Sequence, residues 1–255
     1  MVINFKCKKM KKIIYSLLIG ASVMCSSCMK VDNFDAPSAH LTGNIIDSTT
    51  GKNILASQGE CRIRLYEMSY SSNPKPQDIP LKQDGSYNNT KLFDGDYDIV
   101  PEGAWWPIER KRVVLDGKLT QNFEVTPYLQ VVDVKHSLEG KYLNISCRLK
   151  APKKDGLPKI IEVRPYINIH KFCGANQCIG KYLEMGNKGE NKENYCKRLM
   201  KNWSEIEQAD GMSPVYSFKV ELKPGYHYFV RIGTKVMDSF RKTNYSDIFE
   251  VKVPQ

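Results

Sequence analysis

From Leu41 onward the chain alternates apolar and polar residues in short runs separated by turns. Leu41 to Asp47 is the first run, closed by Ser48-Thr49-Thr50-Gly51. Cys61-Arg62-Ile63-Arg64-Leu65 puts apolar side chains on one face and charges on the other, the pattern of a half-buried strand. Asp84-Gly85 and Asp94-Gly95 are turn dipeptides between strand-like runs. Asp116-Gly117 joins a strand over Lys111 to Leu115 to one over Leu119 to Val125. Strands this short at this spacing predict a β-sandwich over residues 37–127 rather than a βαβ fold.

Thr126-Pro127 marks the expected domain boundary, and a second set of strands follows over residues 128–255. These are Leu129 to Val134, Tyr142 to Leu149, Ile160 to Ile169, Tyr216 to Leu222, Tyr226 to Val236 and Ile248 to Val253. Leu143, Ile145, Cys147 and Leu149 alternate cleanly, as do Phe218, Val220 and Leu222. Asn191 to Gln208 does not alternate. It places Tyr195, Leu199, Met200, Trp203 and Ile206 near helical spacing, which predicts a one-helix insertion or a long loop. The expected class is all-β, two sandwiches in series, each with enough chain to bury a core.

The first residues follow another logic. Lys6, Lys8, Lys9, Lys11 and Lys12 precede the apolar run Ile13 to Ala21, and Cys25-Ser26-Ser27-Cys28 comes next. A basic start, a short apolar core and small residues before a cysteine predict a lipoprotein signal over residues 1–27. An ordinary cleaved signal is the alternative. The run is too short to span a bilayer and stay there. Met10 is a second plausible start. Small Ser27 before Cys28 suits acylation better than Met24 before Cys25, so Cys28 is the expected anchor. Residues 28–36, with Asp32 and Asp35, form a tether to a lipid-held domain.

Charge narrows the partners. The formal net charge is +10; removing the five lysines of residues 1–27, which hold no acid, leaves +5 on the mature chain. That excess is dispersed, so it reads as a solvated surface and not as a nucleic-acid footprint. With Cys28 acylated, Cys61, Cys147, Cys173, Cys178 and Cys196 remain. An odd number in an oxidising compartment leaves a free thiol. Cys61 and Cys147 read as small core residues. Cys173 and Cys178 suit a disulfide better than half of a zinc site, because no second ligand pair follows. Cys173 and Cys196 both remain open as the partner of Cys178.

Two resemblances add to this. Leu41 to Ile54, with Gln83-Asp84-Gly85-Ser86-Tyr87 and Leu92-Phe93-Asp94-Gly95-Asp96-Tyr97, resembles the carboxypeptidase regulatory-like, or transthyretin-like, sandwich. That resemblance implies a non-catalytic spacer. The whole mature chain resembles a Bacteroidetes family of two-domain lipoproteins of unknown function. The matching stretches are Asp32 to Pro37, Ser72 to Asp78, Phe123 to Tyr128 and Pro224 to Gly233. The C-terminal half is similar to a fibronectin type III or immunoglobulin-like sandwich. The family resemblance implies an outer-membrane, cell-surface protein beside a Sus-like porin complex for glycan uptake.

For catalysis the residues offer little. His40, His136, His170 and His227 are scattered without metal-ligand spacing. Asp94-Gly95-Asp96-Tyr97-Asp98 reads as a hairpin turn, since a calcium loop would need further ligands. No cofactor is expected. Trp105-Trp106-Pro107 is the leading binding candidate, because neighbours on a strand face opposite ways and one indole could offer a flat face to a sugar ring. Core packing of both rings is the competing reading. Trp203 carries the same ambiguity, and the Ser71 to Pro76 loop, stiffened by Pro74 and Pro76, could shape a groove.

Two functions follow: a glycan-capturing surface lipoprotein without enzymatic activity, or a structural, protein-binding scaffold or adhesin component. Both need the anchor. Cys28→Ala is expected to release the protein from the membrane fraction and Cys25→Ala to leave it there. Acyl chains found on Cys25 by mass spectrometry would overturn the assignment.

Overall fold

The computed structural model describes residues 36–69 and 71–255; Cys25, Cys28 and the signal segment lie outside the described residues. The first sandwich is built from β1 (Ala39–Asp47), β2 (Arg62–Glu67), β3 (Gln77–Pro80), β4 (Ser86–Leu92), β5 (Gly95–Glu102), β6 (Lys111–Leu115), β7 (Lys118–Thr120) and β8 (Phe123–Val125). One sheet runs β4-β1-β7, with β8 also on β1, and the other runs β3-β2-β5-β6. The alternation in β1 buries Leu41 and Ile45, which meet Ile63, Leu65 and Ile99 of the facing sheet. The run expected as one strand over Leu119 to Val125 is split at Gln121-Asn122. There Asn122 Oδ1 accepts from Asn44 N at 2.9 Å, so a side chain stands in for a ladder bond.

The second sandwich contains β9 (Gln130–Glu139), β10 (Tyr142–Lys150), β11 (Ile160–Asn168), the helix α1 (Gly180–Lys188), β12 (Lys197–Lys201), β13 (Tyr216–Glu221), β14 (His227–Val236), β15 (Thr243–Tyr245) and β16 (Phe249–Lys252). Its sheets are β13-β10-β9 and β12-β11-β14-β15, with β16 on β14. Leu143, Ile145 and Leu149 face Val163, Ile167, Val230 and Ile232 in a second, separate core. Among the described residues the fold is all-β, with two sandwiches and one short α-helix.

The helix is not where the spacing put it. It ends at Lys188, before Asn191, and within Asn191 to Gln208 the chain makes two single 3-10 turns around β12. β12 pairs with the open edge of β11. A sheet edge offering a row of free donors and acceptors outcompetes weak helical periodicity. Asn202 and Glu205 form a capping box at the start of the three-residue turn that carries buried Trp203.

Polar side chains cross between the two sandwiches. Glu60 is 7% exposed and reaches from the first sandwich into the second. Its Oε1 accepts from Thr243 N at 3.1 Å and Thr243 Oγ1 at 2.8 Å, and its Oε2 accepts from the Tyr245 hydroxyl at 2.6 Å. Burial, and then the Glu60 charge, hold the Tyr245 hydroxyl well above its ordinary pKa, so it stays a donor. Asn244 Nδ2 donates to Ala104 O at 2.8 Å, and its Oδ1 accepts from Leu129 N at 3.2 Å.

Glu60→Ala strands three donors, at roughly 1–3 kcal/mol for each one left unpaired in the interior. The expected loss is about 3 kcal/mol or more by urea denaturation. A loss below about 1 kcal/mol would show that this carboxylate does not hold the junction.

Candidate ligand-binding cleft

Along β14 the residues Tyr228, Val230, Ile232 and Val236 enter the sandwich core. Strand alternation sends Arg231 to the opposite face, yet Arg231 is 0% exposed because the first sandwich covers it. Its Nη2 donates to Ala56 O at 2.6 Å, and its guanidinium lies 3.6 Å from the centroid of the Tyr245 ring. The Arg231 Nε and Nη1 atoms have no hydrogen-bond partner among the described residues. Burial pushes the guanidinium below its usual pKa.

A short hairpin covers this arginine. Gly174 and Gln177 exchange backbone bonds of 2.9 and 3.1 Å around the Ala175-Asn176 turn. A Cβ on Gly174 would fall 2.5 Å from Arg231 Nη2, so only glycine lets the hairpin settle this close. The hairpin grips the first sandwich: Asn176 N donates to Ser57 Oγ at 3.0 Å, and Ser57 Oγ donates to Gln177 Oε1 at 2.9 Å. Ala175 N donates to the Tyr245 oxygen at 2.8 Å.

Just before the hairpin, Lys171-Phe172-Cys173 is held at both ends. Gln83 Nε2 donates to Lys171 O at 2.9 Å, and Cys173 N donates to Gln83 Oε1 at 2.8 Å. One side-chain amide thus pairs with the backbone on either side of Phe172, as a neighbouring strand would. The Cys173 thiol anchors the segment inward, 3.2 Å from Tyr166 O. Between these ties the Phe172 ring stands 46% exposed. It lies at a cleft of about 460 Å3 between the sandwiches, which Gln58, Lys82, Gln83, Asp84, Arg231 and Asp247 also line. That volume is in the range of small-ligand sites. A second depression of about 410 Å3 shares Leu55 and Asp247 with it, so the groove continues along the junction.

The tryptophans are placed differently. Trp105 is 1% exposed in the first core, where Gly103 leaves room for its ring. Trp106 points the other way and packs half-buried on the second core against Tyr128, at a centroid distance of 5.3 Å. Lys153 Nζ lies 4.4 Å from the centre of the Trp106 ring. The pair lies beyond the end of β5 and not within a strand; the rings still point opposite ways, and this fastens two cores instead of exposing a platform. Trp203 is 4% exposed in the second core. The Ser71 to Pro76 segment leads into β3 and does not line the cleft.

Two family models account for nearly all of the described chain. Residues 39–126 match "Protein of unknown function (DUF3823) N-terminal domain", and residues 129–250 match "Domain of unknown function (DUF3823_C)". The chain belongs to the DUF3823 family. A DUF3823 protein from Bacteroides uniformis shares its fold at a TM-score of 0.69 and 20% identity, covering 86% of this chain and 100% of that one. One from Parabacteroides merdae gives 0.61 and 21%, covering 86% and 100%. A third structure, a "putative carbohydrate binding protein" from Bacteroides uniformis, gives 0.66 and 20%, covering 85% and 99%. Among curated proteins no match was found.

In this DUF3823 chain Cys173, Cys178 and Cys196, the expected disulfide candidates, are free thiols. Their sulfurs face different partners: Tyr166 O, Ala175 O at 4.0 Å and Glu162 Oε2 at 3.5 Å respectively. Burial pushes the Cys173 thiol up to about 12 and raises that of Cys178, so both are protonated. The Asp94 and Asp98 carboxylates are spent on Gly117 N and Arg112. Phe172 escaped the sequence reading because it follows a strand and precedes a core cysteine. The signal was an aromatic next to a lysine just beyond a strand end.

These placements separate core from surface. Trp105→Ala is expected to cost about 3–5 kcal/mol, as for other buried aromatic truncations. Phe172→Ala should stay within about 0.5 kcal/mol of the parent. Chemical denaturation of both variants checks the contrast, and equal losses would place Phe172 in the core.

Proposed function

We propose that this protein is a non-catalytic, lipid-anchored glycan-binding protein of the outer-membrane surface, and that the junction cleft is its binding site. The observation that carries the reading is Phe172: a half-exposed ring at a cleft mouth, held on both sides by Gln83. A flat apolar ring accepts the C–H face of a sugar, while amides and carboxylates at its rim take up hydroxyls. Gln58, Asp84 and Asp247 supply such groups. Holding the platform rigid before binding reduces the ordering cost of association. The relative described as carbohydrate binding supports the same reading through its fold. The expected anchor at Cys28 and the family resemblance point to delivery of captured glycan to a Sus-like porin complex.

The scaffold or adhesin reading draws on Trp105 and Trp203, which are both buried and offer nothing to a sugar. A glycan array on the full chain decides between the two. Binding of an arrayed glycan, weakened about tenfold or more in Phe172→Ala, is the expected result; tenfold corresponds to about 1.4 kcal/mol. No binding across the array, or binding indifferent to Phe172→Ala, would remove the cleft from this role.

A further inference from the structure

Arg231 brings to the cleft a buried charge that has no directly paired carboxylate, Glu60 acting on it only across Tyr245. Arg231 is fully buried, and no carboxylate forms an ion pair with it among the described residues. Its Nη2 is spent on Ala56 O and its π-face contact on Tyr245, which leaves Nε and Nη1 without partners. Glu60 lies beyond the Tyr245 hydroxyl and is saturated by Thr243 and Tyr245. A buried cation is ordinarily paired, because an uncompensated charge in a low-dielectric interior is costly. Arg231 borders the cleft with its guanidinium beneath the surface, and exposed Lys82 and Lys171 line the same cleft.

The two acids of the cleft do not cancel this. Asp84 accepts from Ser86 Oγ at 2.7 Å and Ser86 N at 3.0 Å, which hold its carboxyl below the usual carboxylate range and turn it toward its own turn. Asp247 is exposed, where water screens it. A guanidinium buried in low dielectric beneath the cleft projects its field into it more strongly than a solvated carboxylate opposes it.

We infer that the cleft selects acidic saccharides: a uronate carboxylate approaches the Arg231 end, flanked by Lys82 and Lys171, while the sugar ring lies on Phe172. The inference rests on the glycan reading and adds the class of ligand. The exposed Lys82 and Lys171 ammonium groups can meet the carboxylate directly, while the buried guanidinium adds its field from beneath. The Lys171 ammonium lies 5.8 Å from the Phe172 ring centre, so platform and charge are neighbours.

The test uses the full chain with oligogalacturonate, alginate oligomers and glucuronoxylan oligosaccharides, each beside its carboxyl-reduced form. The expected result is binding of at least one acid form about tenfold or more tighter than its reduced counterpart, weakening as salt rises. Lys171→Gln and Lys82→Gln, both on exposed residues, should each cost about threefold or more for the acid and nothing for the reduced form. Arg231→Gln should abolish the preference. Because that substitution also removes the buried bond to Ala56 O, the lysine variants and the salt dependence stand as separate measurements. Equal affinity for acid and reduced forms overturns the inference and leaves the glycan reading intact. The same holds if only neutral glycans bind, in a Phe172-dependent way. No binding of any saccharide overturns both, and binding of a sulfated neutral glycan alone would replace carboxylate with sulfate as the anion and overturn the assignment to uronate.

Discussion

The carboxylate of Glu60, buried between two sandwiches that each have their own core, is the interaction on which the rest of the molecule depends. Trp106 is an apolar side chain that packs from the first sandwich's end onto the second core, and beside it the mutual placement of the sandwiches rests on polar contacts. Such contacts are directional. Glu60 is satisfied only when Thr243 and Tyr245 both reach it, and Asn244 only when Ala104 and Leu129 do. An interior hydrogen bond contributes little net stability, about 1 kcal/mol, but leaving one unmade costs more. The network therefore acts through the penalty on wrong arrangements: a small rotation between the sandwiches would break several bonds at once.

The cleft is a by-product of that placement. Tyr245 sits between Glu60 and Arg231, donating to the first and lying under the guanidinium of the second. Its oxygen also receives Ala175 N, so the hairpin over Arg231 is tied to the same residue. Gln83 from the opposite sandwich holds the Lys171 to Cys173 segment at both ends, and the hairpin follows directly after it. Phe172 is thus positioned by both sandwiches. An exposed ring on a free loop would pay ordering entropy on binding, whereas this one has paid it during folding.

Much of the fold was legible in the residues because alternation reports on one strand at a time. Leu41 to Asp47 and Tyr142 to Leu149 needed only their own side chains to declare a buried face. β12 did not, because an edge strand takes its conformation from the neighbour it pairs with, and Lys197–Lys201 carries almost no buried face of its own. The cleft was invisible for a related reason. Arg231 sits in a run that reads as core, and nothing local says that a second domain will bury its charge. The tryptophans drew attention because large aromatics dominate both cores and binding faces, and Trp105 and Trp203 fell on the core side.

The likeness to solved DUF3823 structures at 20–21% identity concerns architecture. Cores tolerate broad substitution when volume and pattern are kept, so a shared pair of sandwiches says little about what either one binds. In this chain the two kinds of information occupy different segments. Leu143, Val163, Val230 and their neighbours hold the second sandwich together without touching the cleft. Lys171 and Phe172 lie in the connection between β11 and α1, where residues can change at small cost to either core. Arg231 is the link, since its backbone belongs to the central strand β14 and its guanidinium lies buried beneath the cleft. A ligand preference is therefore free to vary at Lys171, Phe172 and Lys82, while the buried charge that would favour an anion is built into the strand and the junction that covers it.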